Sequence, residues 1–165
     1  MKKKLLVLSF LTVLLISFQG LPGCTSSRKL VANEPSVQFY NVGHRGTRGL
    51  MPENTIPSFK RAIEVGANTI EFDVHITKDN KVVICHDASY TTKPDGSDIS
   101  DAERKQYTFY QMNYADIRKF IIGEKYYPAF PDQWRMKTYA PLLSEMIDSV
   151  ESFTKSNNYS PNKFT

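Results

Sequence analysis

The chain has 165 residues, of which 41% are hydrophobic and 23% charged, with 21 Lys and Arg against 17 Asp and Glu. That is the make-up of a globular protein and excludes a disordered one, which lacks the apolar content to bury a core. Most of the formal charge of +4 sits at the start of the chain: beyond position 23, 18 basic residues face 17 acidic ones, with no basic stripe, which excludes nucleic acid as a partner.

Lys2, Lys3 and Lys4 precede an apolar run from Leu5 to Phe18, followed by Gly20, Leu21, Pro22, Gly23 and Cys24. A basic start, a short apolar core and a small-residue end predict an export signal over residues 1–23. The run of 14 residues is shorter than the roughly 20 that a membrane-spanning helix needs. Leu21-Pro22-Gly23-Cys24 is similar to a bacterial lipobox, with Pro22 where a small residue is usual. The resemblance implies a lipid on Cys24 and attachment to the membrane of a bacterial envelope, with an ordinary cleaved signal as the alternative. Residues 24–36 are polar and aperiodic and read as a tether. With Cys24 acylated, Cys85 is the remaining thiol and no internal disulfide forms. Residues 37–165 then make up one domain.

Val37 to Val42 has strand composition and runs through Gly43 into His44. Asn54 or Thr55 caps a helix that accepts Pro57 in its first turn, carries Ile56, Phe59 and Ile63 on one face and stops at Gly66. From Thr69 to Thr77, Ile70, Phe72, Val74 and Ile76 alternate with Glu71, Asp73 and His75, predicting a strand with both acids on one face. Lys78-Asp79-Asn80 forms a turn into a strand from Lys81 to Cys85, with His86 at its end. Pro94-Asp95-Gly96 is a turn, and Asn113 caps a helix carrying Ile117 and Phe120 that ends at Gly123. Residues 124–140 read as a loop with aromatic plugs, and Pro141 to Glu145 opens a helix with Leu142, Met146 and Val150 in a stripe. The polar residues 156–165 predict no further strand. Alternating strands and helices indicate an α/β fold, a barrel or an open sheet, and either gathers active groups at the C-terminal ends of its strands.

Chemistry concentrates in His44-Arg45-Gly46, Pro52-Glu53-Asn54-Thr55, Glu71-Phe72-Asp73 and His86-Asp87. Glu71 and Asp73 are hard oxygen donors suited to Ca²⁺ or Mg²⁺, or simply the solvated face of a strand. His44 and His86 are candidates for proton transfer, or histidines satisfied at strand ends. Arg45 suits bidentate phosphate binding, or a salt bridge with Glu53. Asn54 is a candidate helix cap, and Glu53 a group that orients Arg45 or a metal-bound water. Cys85 should pack as a small hydrophobe.

In order and spacing these four motifs resemble the signature of the glycerophosphodiester phosphodiesterase family, across residues 40–90 and more loosely over 107–150. The resemblance implies the N-terminal portion of a (β/α)8 TIM barrel of the phospholipase C-like phosphodiesterase type, ending after roughly half of the usual 250 residues. It implies metal-assisted hydrolysis of a glycerophosphodiester to an alcohol and glycerol 3-phosphate. His44 and His86 would be acid and base in unassigned order, Arg45 would bind substrate, and Glu71 and Asp73 would hold Ca²⁺ or Mg²⁺. Glu53 and Asn54 would support them. The family's third metal carboxylate, in a Glu-x-Lys context, belongs to a strand beyond the last helix and has no counterpart here. A phospholipase D-like activity on sphingolipid headgroups and an inactive, phosphate-binding lipoprotein are the alternative readings.

Overall fold

The structure, a computed structural model, describes residues 39–159 and 163–165. The export signal, Cys24, the tether and the start of the first expected strand lie outside the described residues.

Strand β1 is Val42–His44, so His44 belongs to the strand and does not follow it. Helix α1 spans Ile56–Glu64, and the Thr55 hydroxyl accepts the Ser58 N–H at its N-terminus, as the cap and Pro57 imply. Phe59 and Ile63 are buried on its inner face. The single strand expected over 69–77 is two. Strand β2, Thr69–Glu71, runs parallel to β1, with Val42, Gly43 and His44 opposite Thr69, Ile70 and Glu71. Strand β3, Val74–Ile76, leaves that sheet and pairs antiparallel with β4, Val82–Ile84, across the turn at 78–80. The corner falls at Phe72 and Asp73, whose side chains are drawn apart: the Phe72 ring packs against Phe59, while Asp73 accepts from Asn54. The strand expected over 81–85 is thus one arm of a hairpin whose other arm is the second half of 69–77. The outer ends of the alternating face, Val74 and Ile76, are exposed while Ile70 is fully buried.

Strand β4 separates two cores, as period two dictates. Val83 joins Tyr90, Phe109, Met112, Tyr114, Ile117 and Phe120. Ile84 joins Phe59, Ile63 and Ile70 with Met146 and Val150 of the last helix. The first core is roofed by short pieces: helix α2, Asp101–Arg104, 3-10 turns at Lys105–Tyr107 and Phe109–Gln111, and helix α3, Tyr114–Ile117. Helix α3 is shorter than expected and leaves Phe120 beyond its end; its first N–H, that of Tyr114, donates to Asp79 and not to Asn113. Helix α4, Leu143–Ser156, buries Met146, Val150 and Thr154, and the Glu145 carboxylate accepts the Leu142 N–H at its start. Strand β5, Lys163–Phe164, adds to β2 in parallel, contrary to the reading of a strandless end. The aromatic contact of Phe164 with Phe72 holds it, a signal that the polar residues around it hide. The loop 124–140 also differs from expectation: Tyr126, Tyr127 and Trp134 face solvent, and the plugging is done by Tyr90, stacked on Phe120 at 4.1 Å.

Asp79 ties the β3–β4 turn to α3, taking hydrogen bonds from the Thr77 hydroxyl and the Tyr114 N–H, which lower its pKa from 3.8 to about 2. A carboxyl held low in the folded state stabilises fully above its unfolded value and loses that contribution as pH falls through the folded one. The melting temperature difference between the protein and Asp79→Asn should therefore be constant above about pH 5 and shrink between about pH 4 and pH 2. Thermal melts across that range check it; a difference independent of pH would contradict it.

Candidate active site

The rim where β1, β2 and β4 end collects the motif residues. Parallel register sets His44 beside Glu71, with His44 Nε2 3.8 Å from Glu71 Oε2. The chain then turns back sharply. Arg45 has φ 52° and Gly46 φ 80°, and the Gly46 N–H donates to the Gly43 carbonyl at 3.1 Å. The turn aims the Arg45 N–H at Glu71 Oε2, 2.9 Å away. Buried Ser58, from the first turn of α1, clamps the loop: its hydroxyl accepts from the Thr47 N–H and donates to the Arg45 carbonyl.

Asn54, also left-handed at φ 56°, donates its backbone N–H to the Arg45 carbonyl and its side-chain amide to Asp73 Oδ2 at 3.1 Å. Two non-glycine residues in a sparsely populated region, joined by a hydrogen bond, mark backbone strain of a kind that collects at functional sites. The helix cap is Thr55, which leaves Asn54 to its carboxylate contact. Arg45 lies among carboxylates, with Nη1 2.9 Å from Glu53 Oε1 and Nε 3.5 Å from Asp73 Oδ2. Its pairing with Glu53 is thus the one weighed against phosphate binding. Glu53 also meets Arg48, 3.7 Å away.

The antiparallel hairpin brings the end of β4 back to the start of β3. The Cys85 N–H donates to the Asp73 carbonyl, so His86 follows directly on the corner that carries Asp73. His86 Nδ1 lies 2.9 Å from Asp87 Oδ1. A carboxylate only accepts, so Nδ1 carries the proton and Nε2 is left for proton transfer. His75 Nε2–H donates to the His86 carbonyl at 3.1 Å. A chain of contacts thus runs from His44 through Glu71, Arg45 and Asp73 to the residue before His86. Cys85 packs against the first core, and burial pushes its thiol up to about 12, which makes it inert at neutral pH. Motif reading gave no role to His75 or to Asp87, which stands in the His86-Asp87 motif, and it passed over Ser58. Asp87 was legible in its pairing with His86; Ser58 carries no signal apart from the fold.

Among the described residues no three His, Cys, Asp or Glu side chains group together as a metal cage. The carboxylates tied into this rim, Glu71 and Asp73, are hard oxygen donors, and among the described residues the buried Asn54 Oδ1 beside them has no hydrogen-bond partner. That chemistry fits Ca²⁺ or Mg²⁺ with further oxygens from substrate or water, and does not fit a soft ion.

Residues 44–163 match the model of the glycerophosphoryl diester phosphodiesterase family. The chain is 30% identical over 158 residues to a glycerophosphodiester phosphodiesterase of Bacillus subtilis (strain 168), covering 96% of this chain and 50% of that protein. It is 40% identical over 109 residues to one of Caldanaerobacter subterraneus subsp. tengcongensis, covering 66% of this chain and 39% of the relative. The chain thus spans half or less of the length of these relatives. A crystal structure of a glycerophosphoryl diester phosphodiesterase from Silicibacter pomeroyi DSS-3 superposes with a TM-score of 0.59 and 30% identity over 75% of this chain and 45% of that one. The fold is accordingly the N-terminal portion of the (β/α)8 barrel. With the family model matched over residues 44–163 and a solved structure of 30% identity sharing the fold, the chain belongs to the glycerophosphoryl diester phosphodiesterase family.

Proposed function

We propose that this chain carries part of an enzyme that hydrolyses glycerophosphodiesters to an alcohol and glycerol 3-phosphate. The observation that carries the reading is the meeting of His44, Glu71, Asp73 and the His86 segment at the ends of β1, β2 and β4. One histidine takes the proton of the attacking oxygen as its bond to phosphorus forms. The other protonates the leaving alcohol as its bond to phosphorus breaks. His86, whose Nδ1 is held by Asp87, presents Nε2, which takes up the proton as base when unprotonated and gives it to the leaving oxygen as acid when protonated. Arg45 binds a phosphate oxygen with the part of its guanidinium not engaged by Glu53, and Glu53 fixes its plane. Glu71 and Asp73, supported by Asn54, hold Ca²⁺ or Mg²⁺, which when bound neutralises phosphate charge and polarises the phosphoryl oxygen.

Glu71→Ala in the intact protein should raise the divalent-ion concentration for half-maximal turnover by about tenfold or more, with turnover largely recovered at saturating metal. Enzymatic detection of glycerol 3-phosphate across a Ca²⁺ and Mg²⁺ titration measures this. An unchanged metal requirement would remove Glu71 from the site.

The basic, short apolar start and Leu21-Pro22-Gly23-Cys24 support export and a lipid on Cys24, placing the domain at the membrane of a bacterial envelope on a 13-residue tether. Cys24→Ser should move the protein from the membrane to the soluble fraction on fractionation. Equal solubility of both forms would leave ordinary signal cleavage as the explanation.

A further inference from the structure

Strand β4 ends at Ile84, and beyond it the Cys85 N–H still reaches back to the Asp73 carbonyl. His86 comes next, with its side chain 44% exposed and that of Asp87 74% exposed. Among the described residues no strand pairing includes His86, so the direction of its imidazole is set by something other than the sheet. Two hydrogen bonds do this. The His75 Nε2–H donates to the His86 carbonyl at 3.1 Å, and the Phe109 N–H donates to the Ala88 carbonyl at 3.0 Å. They share a support, because the His75 ring lies 5.5 Å from the ring of buried Phe109 at an interplanar angle of 51°. Residues directly opposite in an antiparallel pair share a face, so His75 is turned toward the core that its partner Val83 fills. A closed ring of contacts thus runs from His75 to the His86 carbonyl, along the chain to Ala88, and back through Phe109 to His75.

A carbonyl only accepts, so His75 Nε2 carries a proton. It does so in the neutral Nε2–H tautomer and in the imidazolium alike, and the bond is independent of the charge on the ring. A stiff ring packed on Phe109 delivers this N–H with little side-chain freedom left to lose, which a lysine could not do. The peptide that follows His86 is held in place, and the Asp87 carboxylate is carried to its 2.9 Å contact with His86 Nδ1. We propose that His75 is a positioning residue, whose ring N–H fixes the His86–Asp87 peptide and through it the tautomer and direction of the His86 imidazole. That this orientation serves turnover rests on the phosphodiesterase reading; the orientation itself does not.

His75→Phe keeps a ring against Phe109 at this half-buried position and loses the donor, whereas His75→Gln offers an amide N–H in its place. In ¹⁵N-histidine spectra of the intact protein at about pH 9, above the ordinary histidine range, the His86 signal is identified by its loss in His86→Ala. It should show the Nδ1–H tautomer in the parent and in His75→Gln, and a mixture of both tautomers in His75→Phe. With glycerophosphocholine as substrate, His75→Phe should lower kcat about tenfold with KM within about twofold, and His75→Gln should recover most of the loss. In the His86→Ala background His75→Phe should cause no further loss, because the two residues act as a unit. An unchanged His86 tautomer in His75→Phe, equal losses in the Phe and Gln variants, or losses that add in the His86→Ala background would overturn the proposal. The tautomer shift in a protein that hydrolyses no glycerophosphodiester would keep the role of His75 and overturn the proposed function.

Discussion

Replacing His86 with alanine in the intact protein should lower kcat for the proposed glycerophosphodiester hydrolysis by about 10² to 10⁴, the contribution of one positioned acid or base. Stability should hardly change, because the His86 side chain is 44% exposed and its ion pair with Asp87 lies at the surface. Asp87→Asn should fall between the variant and the parent, since an amide can present its N–H to Nδ1 and favour the wrong tautomer. Added imidazole should restore part of the His86→Ala turnover, and added metal should not. Full rescue by metal would mean that His86 serves the ion and not the proton.

Gly46→Ala should cost about 2 to 4 kcal/mol of stability and nearly all activity. At φ 80° any side chain is strained, and a Cβ here would meet the Ser58 hydroxyl and lie 2.7 Å from the Ser58 carbonyl carbon. Ser58 is fully buried in the first turn of α1 and holds Thr47 and Arg45, so it cannot yield without shifting the loop that aims Arg45 at Glu71. Gly66 provides the control: its φ is 92°, but a Cβ there meets nothing within 4 Å. Gly66→Ala should cost only about 1 kcal/mol and leave turnover intact. Urea unfolding and kcat for the two variants separate the effects; equal losses would show that the Ser58 clamp is not the cause.

The motif residues were legible because each sits at the end of an element whose own pattern is strong. Ile70 and Phe72 announce the strand that carries Glu71, and Thr55, Pro57, Phe59 and Ile63 announce the helix that follows Glu53 and Asn54. What escaped was set by contacts between distant residues. The split of 69–77 depends on Asp73 reaching Asn54 while Phe72 turns inward, and local alternation continues unbroken across the corner. The β5 strand rests on Phe164 meeting Phe72, 92 residues earlier in the chain. Loop 124–140 is rich in aromatics, and richness alone implied burial. Yet the first core is already filled by Tyr90, Phe109, Tyr114 and Phe120, so Tyr126 and Trp134 remain outside. The role of Ser58 is a packing fact with no local pattern at all.

The most direct test of the proposed chemistry is to let the intact protein hydrolyse glycerophosphocholine in H₂¹⁸O with Ca²⁺ or Mg²⁺ and read the products by ³¹P NMR and mass spectrometry. Attack at phosphorus with departure of the alcohol predicts glycerol 3-phosphate carrying one ¹⁸O and unlabelled choline, with both signals lost in His86→Ala. Phosphocholine as the product, or ¹⁸O in the released choline, would contradict it.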